Sequence, residues 1–309
     1  MTSLLPLVEA VDSFPYVPND YYFTFVGHNG QPLGYMVPEV ATAFKTCSAS
    51  DKFVVNDGDK TVTMGGELDT FEKRSAVVAQ LAEEWRQKDP VVAKGWRDEL
   101  YVVFSPRTVP YFSVERAFSG VLGVVTYGVH INGIVPASKS SNGKTKMWVP
   151  RRSKTKATYP GKLDNTIAGG VAYPLGLWDN VIKECYEEGG LDKAFVEPRI
   201  SSAGVISYLC QPYGPKGHAQ PEVEYIYDLV FDSETEYEPS PVDGEAEEFK
   251  LMDLDEVLQR MKDGEFKPNC TLVVIDFLIR HGHITPENEE NYLEITSRIH
   301  RRFPFATRN

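Results

Sequence analysis

The sequence predicts an α/β chain in two parts: a smaller α/β domain over residues 1–118, then an α/β/α sandwich with a mixed sheet over residues 119–309. Three observations predict it. A length of 309 residues exceeds one ordinary core. β-branched runs alternate with stretches of helical periodicity. The rhythm of the chain changes near RAFSG, residues 116–120.

In order, residues 1–50 alternate short aromatic stretches with Pro and Gly. FVVNDGDKTVTM, residues 53–64, sets two β-branched runs around Asp57-Gly58, a hairpin pattern. A helix follows to Lys88, with Asp69 or Thr70 as its cap and Phe71, Val77, Val78, Leu81 and Trp85 at helical spacing. Asp89-Pro90 stops it. The isolated His28 reads as a surface or packing residue. Beyond the boundary, strands are expected over 121–135, 147–149 and 163–173, then a helix over 177–188 ended by Gly189-Gly190. Strands over 200–210 and 222–231 come next. The acidic stretch 233–248 holds seven carboxylates and neither Lys nor Arg. Helices over 254–261, 272–281 and 287–301 complete the chain. No internal repeat is present.

Composition excludes several classes. A net charge of -12 argues against a nucleic-acid partner, which needs a basic face. Four cysteines without a CxxC pair point to a reduced, cytoplasmic setting rather than a disulfide scaffold. No apolar run approaches the ~20 residues of a membrane span. The opening MTSLLPLVEAVDSF carries Glu9 and Asp12, unlike a secretory signal or an Arg-rich transit peptide. A monomer or homodimer is expected.

The chemistry gathers on WDNVIKECYEEGGL, residues 178–191. At about 100° per residue, Trp178, Val181, Ile182 and Cys185 form a buried stripe. Glu184, Glu187 and Glu188 fall along one edge beside it. Like charges at this spacing repel, and the negative end of the helix dipole worsens the conflict. A solvated acidic face is the plain reading. A hard divalent cation, Mg²⁺ or Mn²⁺, would also resolve the conflict. Upstream, residues 144–162 hold seven Lys and Arg and no acid, a strip suited to a diphosphate partner. Arg151 and Arg152 are its phosphate-binding candidates. The Gly169-Gly170 turn would allow close backbone approach to metal or phosphate. His130 and Asn132, two apart on a strand, face one side and are candidates for the organic part of a ligand. Trp148 and Tyr159 could stack on an aromatic ring.

Gly169 followed by Lys183-Glu184-Cys185-Tyr186-Glu187-Glu188-Gly189-Gly190-Leu191 resembles the Nudix box. That pattern is Gly, five residues, Glu, seven residues, then Arg-Glu-apolar-x-Glu-Glu-x-Gly-apolar. Leu175 stands where the first Glu is expected, and Lys183 where the Arg is. RRSKTKATYPGKLDNTIAGG, GVHINGIV, WRDELYVVF and FSVERA look like the Nudix subfamily related to thiamine pyrophosphokinase, which carries an extra N-terminal domain. The resemblance implies a Nudix fold and an Mg²⁺-dependent diphosphohydrolase of organic diphosphates. It implies thiamine diphosphate-type substrates, oxidised or damaged forms among them, cut to the monophosphate. Glu184, Glu187 and Glu188 with Gly169 would serve the metal. The general base is left open between a glutamate of the box, Glu187 or Glu188, and the later Glu245. Two other readings stand beside it: a Nudix diphosphatase for a nucleotide sugar, dinucleotide or coenzyme A, and a binding module that has lost turnover, for which Leu175 and Lys183 speak. Isomerase chemistry on an allylic diphosphate lacks the paired Cys and Glu it would need.

Overall fold

The structure is a computed structural model and describes residues 3–17 and 20–309. It opens with α1 (Leu5–Glu9), followed by β1 (Phe23–Val26), β2 (Pro32–Met36), α2 (Pro38–Ala43), β3 (Phe53–Asn56) and β4 (Thr61–Met64). The four strands form a sheet in the order β2-β1-β4-β3, with β1 and β4 parallel. The expected hairpin is the antiparallel β3–β4 pair. Helix α3 (Phe71–Lys88) follows, and its cap is Thr70, whose hydroxyl accepts from the Lys73 amide at 3.2 Å. Asp89 ends it and caps α4 (Pro90–Gly95) through the Val91 amide. A separate hairpin, β5 (Leu100–Phe104) and β6 (Pro110–Glu115), packs on α3 and leads into α5 (Arg116–Leu122). His28 packs against Tyr111, its Nδ1 2.5 Å from the phenol oxygen.

Helix α5 replaces the first part of the strand expected over 121–135. Glu115 caps it through the Ala117 amide, and Gly123, at φ +63, ends it against the Tyr35 carbonyl, where no Cβ fits. The strand itself is β7 (Thr126–Val135). Then come β8 (Lys146–Arg152), β9 (Ile167–Gly170), α6 (Leu177–Gly189), α7 (Lys193–Val196), β10 (Ile200–Cys210), β11 (Gln220–Val230), β12 (Ala246–Asp253), α8 (Leu254–Lys262), α9 (Pro268–Arg280) and α10 (Tyr292–Arg298). The larger sheet runs β10-β11-β7-β8-β12, with β9 on the same edge of β7 as β8. It is mixed: β11 and β7 are parallel, and every other pair is antiparallel.

Alternation along β7 decides the layers. Val129 and Ile131 face the core under α6 and α7, while Ile134 joins the core under α8, α9 and α10. The sandwich is therefore α/β/α, as expected. Its second core also includes Leu4, Val8 and Val11 from the start of the chain. Asp12, 1% exposed, is held there by Arg301 at 3.0 Å.

Three expected elements differ. The strand over 163–173 is only four residues long. Its first part leaves the ladder because Thr166 bonds instead to the Trp148 carbonyl and the Gly133 amide. The helix over 287–301 narrows to α10. A strand the sequence did not suggest, β12, begins at the end of the acidic stretch and pairs with β8. That pairing lays acids against the basic strip: Lys146 meets Glu234 at 3.0 Å, Arg151 faces Glu248 at 3.7 Å, and Lys156 pairs with Glu245.

Candidate active site

Helix α6 presents the three glutamates as the periodicity requires. Glu184 is 8% exposed, and Glu187 and Glu188 are half-buried. Gly190 ends the helix at φ +66. The like-charge conflict is relieved within the chain by Lys183. Its ammonium lies 3.0 Å from Glu184 and 2.8 Å from Glu187. The residue that departs from the expected Arg thus bridges two of the three carboxylates. Glu188 turns the other way and accepts from the Ala168 amide at 2.8 Å. Burial pushes the Glu188 carboxyl well above its ordinary pKa; burial also raises Glu184, against the opposing pull of Lys183. Among the described residues, no group of three or more His, Cys, Asp or Glu is assembled to hold a metal ion.

The cradle is nevertheless built for these side chains. A Cβ on Gly169 would collide with the Glu184 carboxylate, lying 2.5 Å from its Oε2. Close approach of strand to carboxylate is what this glycine permits, without need of a positive φ. Three hard oxygen donors within one helical turn, with one more carboxylate across a cleft, suit a small divalent cation. Rotation of Lys183 away from Glu184 and Glu187 would free them.

Glu188, Arg152, Asp164, Glu245 and Phe249 line one cleft. One residue each of the box helix, the basic strip and the later acidic loop thus lines this cleft: Glu188, Arg152 and Glu245. The arginines are placed differently from expectation. Each Arg152 nitrogen is engaged, with the Tyr159 and Thr158 carbonyls at 3.1 and 2.9 Å and with Asp164 at 2.6 Å. Arg151 bonds to the Gly161 carbonyl at 2.8 Å and faces Glu248 and Glu265. Both hold the 153–162 loop closed instead of presenting free guanidinium groups. His130 and Asn132 share a face, but it is the closed one: they are 3% and 0% exposed. His130 meets Asn165 at 2.7 Å, and Asn132 donates to Asp228 at 3.0 Å. In this structure neither reaches a ligand directly. Trp148 packs on Phe231 in the core, whereas Tyr159 stays 42% exposed.

The loop from β9 into α6 is held by residues the sequence did not single out. Asn180, fully buried, accepts from the Ala172 amide at 3.2 Å and donates to the Gly176 carbonyl at 3.0 Å. The Tyr173 amide donates to the Leu100 carbonyl of β5 at 2.7 Å, and Phe71 of α3 lies against the Tyr173 ring. The Tyr101 hydroxyl occupies the space where a Cβ on Gly170 would stand. The Leu175 side chain is 40% exposed, and its amide donates to the Ala172 carbonyl at 3.0 Å. The N-terminal part of the molecule thus grips the loop that the box leaves without its usual glutamate. A lone Asn or Tyr in the sequence carries no signal of such a role. A larger cavity of about 610 Å³ lies between α2, the end of α3 and the 213–218 turn, lined by Trp85, Lys88 and His218, with no box residue in its wall.

Comparison with known proteins gives two matches along the chain. Residues 20–126 match a domain of unknown function (DUF4743), and residues 139–271 match the NUDIX domain. The chain is 40% identical to uncharacterized protein YJR142W of Saccharomyces cerevisiae, over 99% of this chain and 93% of that one. It is 37% identical to Nudix hydrolase 20, chloroplastic, and 34% identical to Nudix hydrolase 24, chloroplastic, both of Arabidopsis thaliana. Those alignments cover 79% and 81% of this chain, and 62% and 66% of the plant proteins. No described helix is long and apolar enough to cross a membrane. With the box helix on a mixed sheet and both matches in sequence order, the chain carries a Nudix domain preceded by a DUF4743 domain.

Proposed function

We propose that the protein hydrolyses thiamine diphosphate-type substrates, oxidised or damaged forms among them, to the monophosphate in an Mg²⁺-dependent reaction. The observation that carries the catalytic part is the Gly169–Glu184 contact on the box helix, with Glu188 and Glu245 across one cleft. The choice of thiamine rests on the sequence resemblance.

Glu184, Glu187 and Glu188 would hold the metal. When bound, it would neutralise the diphosphate and lower the pKa of a water. The chain's own residues do the rest. The Ala168 amide fixes one Glu188 oxygen and aims the other. Glu245, paired with Lys156 on the opposite lip, would take a proton from the attacking water. Arg152 and Asp164 close the floor so that the diphosphate is held in one orientation. Glu188→Gln should lower kcat by roughly a hundredfold or more while the circular-dichroism spectrum and melting point hold. Undiminished hydrolysis in that variant would remove the box from the mechanism. Phosphate-product analysis over intact and oxidised thiamine diphosphates, ADP-ribose, a dinucleotide and coenzyme A, with Mg²⁺ or EDTA, tests the substrate. A marked preference for the nucleotide compounds would reject thiamine.

A further inference from the structure

A diphosphate needs cationic donors, and most of the strip that should supply them is occupied. Arg151 and Arg152 brace the 153–162 loop, Lys156 is paired with Glu245, and Lys146 with Glu234. Lys183 sits between two box glutamates. Lys267 is half-buried, with Asp164 as its foremost charged neighbour. Among the described residues, one guanidinium beside the box loop remains mostly uncommitted, and it comes from the N-terminal part.

Arg116 begins α5. Its backbone is pinned, since its amide donates to the Glu99 carbonyl at 2.9 Å and Glu115 receives the Arg97, Glu99 and Ala117 amides. Its side chain is about half exposed and makes a single hydrogen bond, to Glu99 at 2.8 Å. Four of its five N–H donors are therefore available. Its guanidinium carbon lies 5.9 Å from the centre of the Tyr101 ring. The Tyr101 hydroxyl in turn lies on Gly170, next to the Gly169 that receives Glu184. The guanidinium is thus one ring away from the metal cradle. Electrostatics agree. Partial desolvation opposes the Arg116 charge, but Tyr101, Glu99 and, across the cleft, Glu245 outweigh it and raise its pKa. Glu99 likewise acts on Glu184.

We propose that Arg116, supplied by the N-terminal domain, binds a phosphate of the substrate in the catalytic cleft, with Tyr101 setting its height above Gly170. The proposal rests on the diphosphohydrolase reading, not on the identity of the organic group. It gives the DUF4743 domain a part in the active site. A planar guanidinium with open donors is suited to two phosphate oxygens at once, and Lys at that position is not equivalent.

The test uses the full chain and methylenediphosphonate, a diphosphate that cannot be hydrolysed, titrated calorimetrically with Mg²⁺ present. Arg116→Ala should bind it at least tenfold more weakly at an unchanged melting temperature, and Arg116→Lys should recover only part. Millimolar guanidinium should restore binding to Arg116→Ala and leave the parent unaffected. Glu99→Gln breaks the same ion pair yet keeps the cation, so its binding should stay within threefold of the parent or tighten. Equal losses in Glu99→Gln and Arg116→Ala would reduce the pair to surface structure and overturn the proposal, as would parent-like binding by Arg116→Ala. The substrate reading fails separately: a parent that hydrolyses no thiamine-type diphosphate but binds methylenediphosphonate through Arg116 loses the first claim and keeps this one.

Discussion

Glu222 and Glu224 stand two residues apart on β11, and the Tyr208 hydroxyl reaches both, at 2.5 and 2.9 Å. Burial, and then the neighbouring Glu224, push the Glu222 carboxyl up to about 7. A carboxyl raised in the folded state keeps a proton there that the unfolded chain has released. Stability therefore falls as pH rises from about 4.5 to about 7. Glu222→Gln should flatten that limb in thermal melts across this range; an unaltered slope would remove Glu222 as its source. Asp228 shows the opposite sign. Burial opposes its charge, but Arg280 at 2.7 Å and Asn132 outweigh it and hold the pKa below 3.8. Its contribution is present above the ordinary aspartate value and is lost as pH falls through the folded one. Asp228→Asn should lose stability at neutral pH and show a shallower acid limb in urea melts. These residues also mark the reach of sequence reading. The three glutamates of the box could be found because their spacing violates helix electrostatics. Asn180, Tyr101 and Arg116 could not, because each becomes meaningful only through a partner distant in sequence.

At the scale of elements, α3 and α6 were legible in caps and periodicity, and β3–β4 in its turn. The register of β12 was not, because a strand that starts within an acidic run looks like a solvated linker until its basic partner is beside it. The same pairing explains why the basic strip misled: its charges face β12 and the adjoining loops. The β9–α6 loop depends on β5 in turn. Gly170→Val would drive the side chain into Tyr101 and lift the loop from the hairpin. The expected result is a kcat at least tenfold lower, with faster amide exchange confined to residues 171–176 and Leu100–Phe104. Uniform exchange changes over the whole sheet would instead mean general destabilisation. Gly169→Ala acts one residue earlier. Its methyl meets the Glu184 carboxylate, so Mn²⁺ affinity should fall while the fold holds.

Across the whole molecule, residues beyond the NUDIX match reach back to the N-terminal part. Phe305 lies edge-on to Tyr35 with ring centres 4.9 Å apart, and the Thr108 amide donates to the Thr307 carbonyl. Arg301 holds Asp12 and the Phe14 carbonyl in a buried corner. Arg301→Met removes the nearer cation from Asp12 and leaves Arg298 at 3.7 Å and the Tyr16 hydroxyl, so it should cost about 2–3 kcal/mol in chemical denaturation. The double change with Asp12→Leu should recover much of that; additive losses would argue against direct pairing. The division into two parts was visible in the rhythm of the sequence. The return of the first residues to the second core was not, since a short apolar run carries no address.

Leu4, Val8 and Val11 share their core with Ile284, Ile295 and Ile299. During synthesis Leu4, Val8 and Val11 emerge from the ribosome long before these three partners. At about 5–20 residues per second, α1 waits many seconds for its seat, while the sheet of β1 to β4 can already have closed. The second core can close only once Ile299 has left the ribosome, and a ribosome stalled before that point would hold the sheet of β1 to β4 beside an incomplete second core.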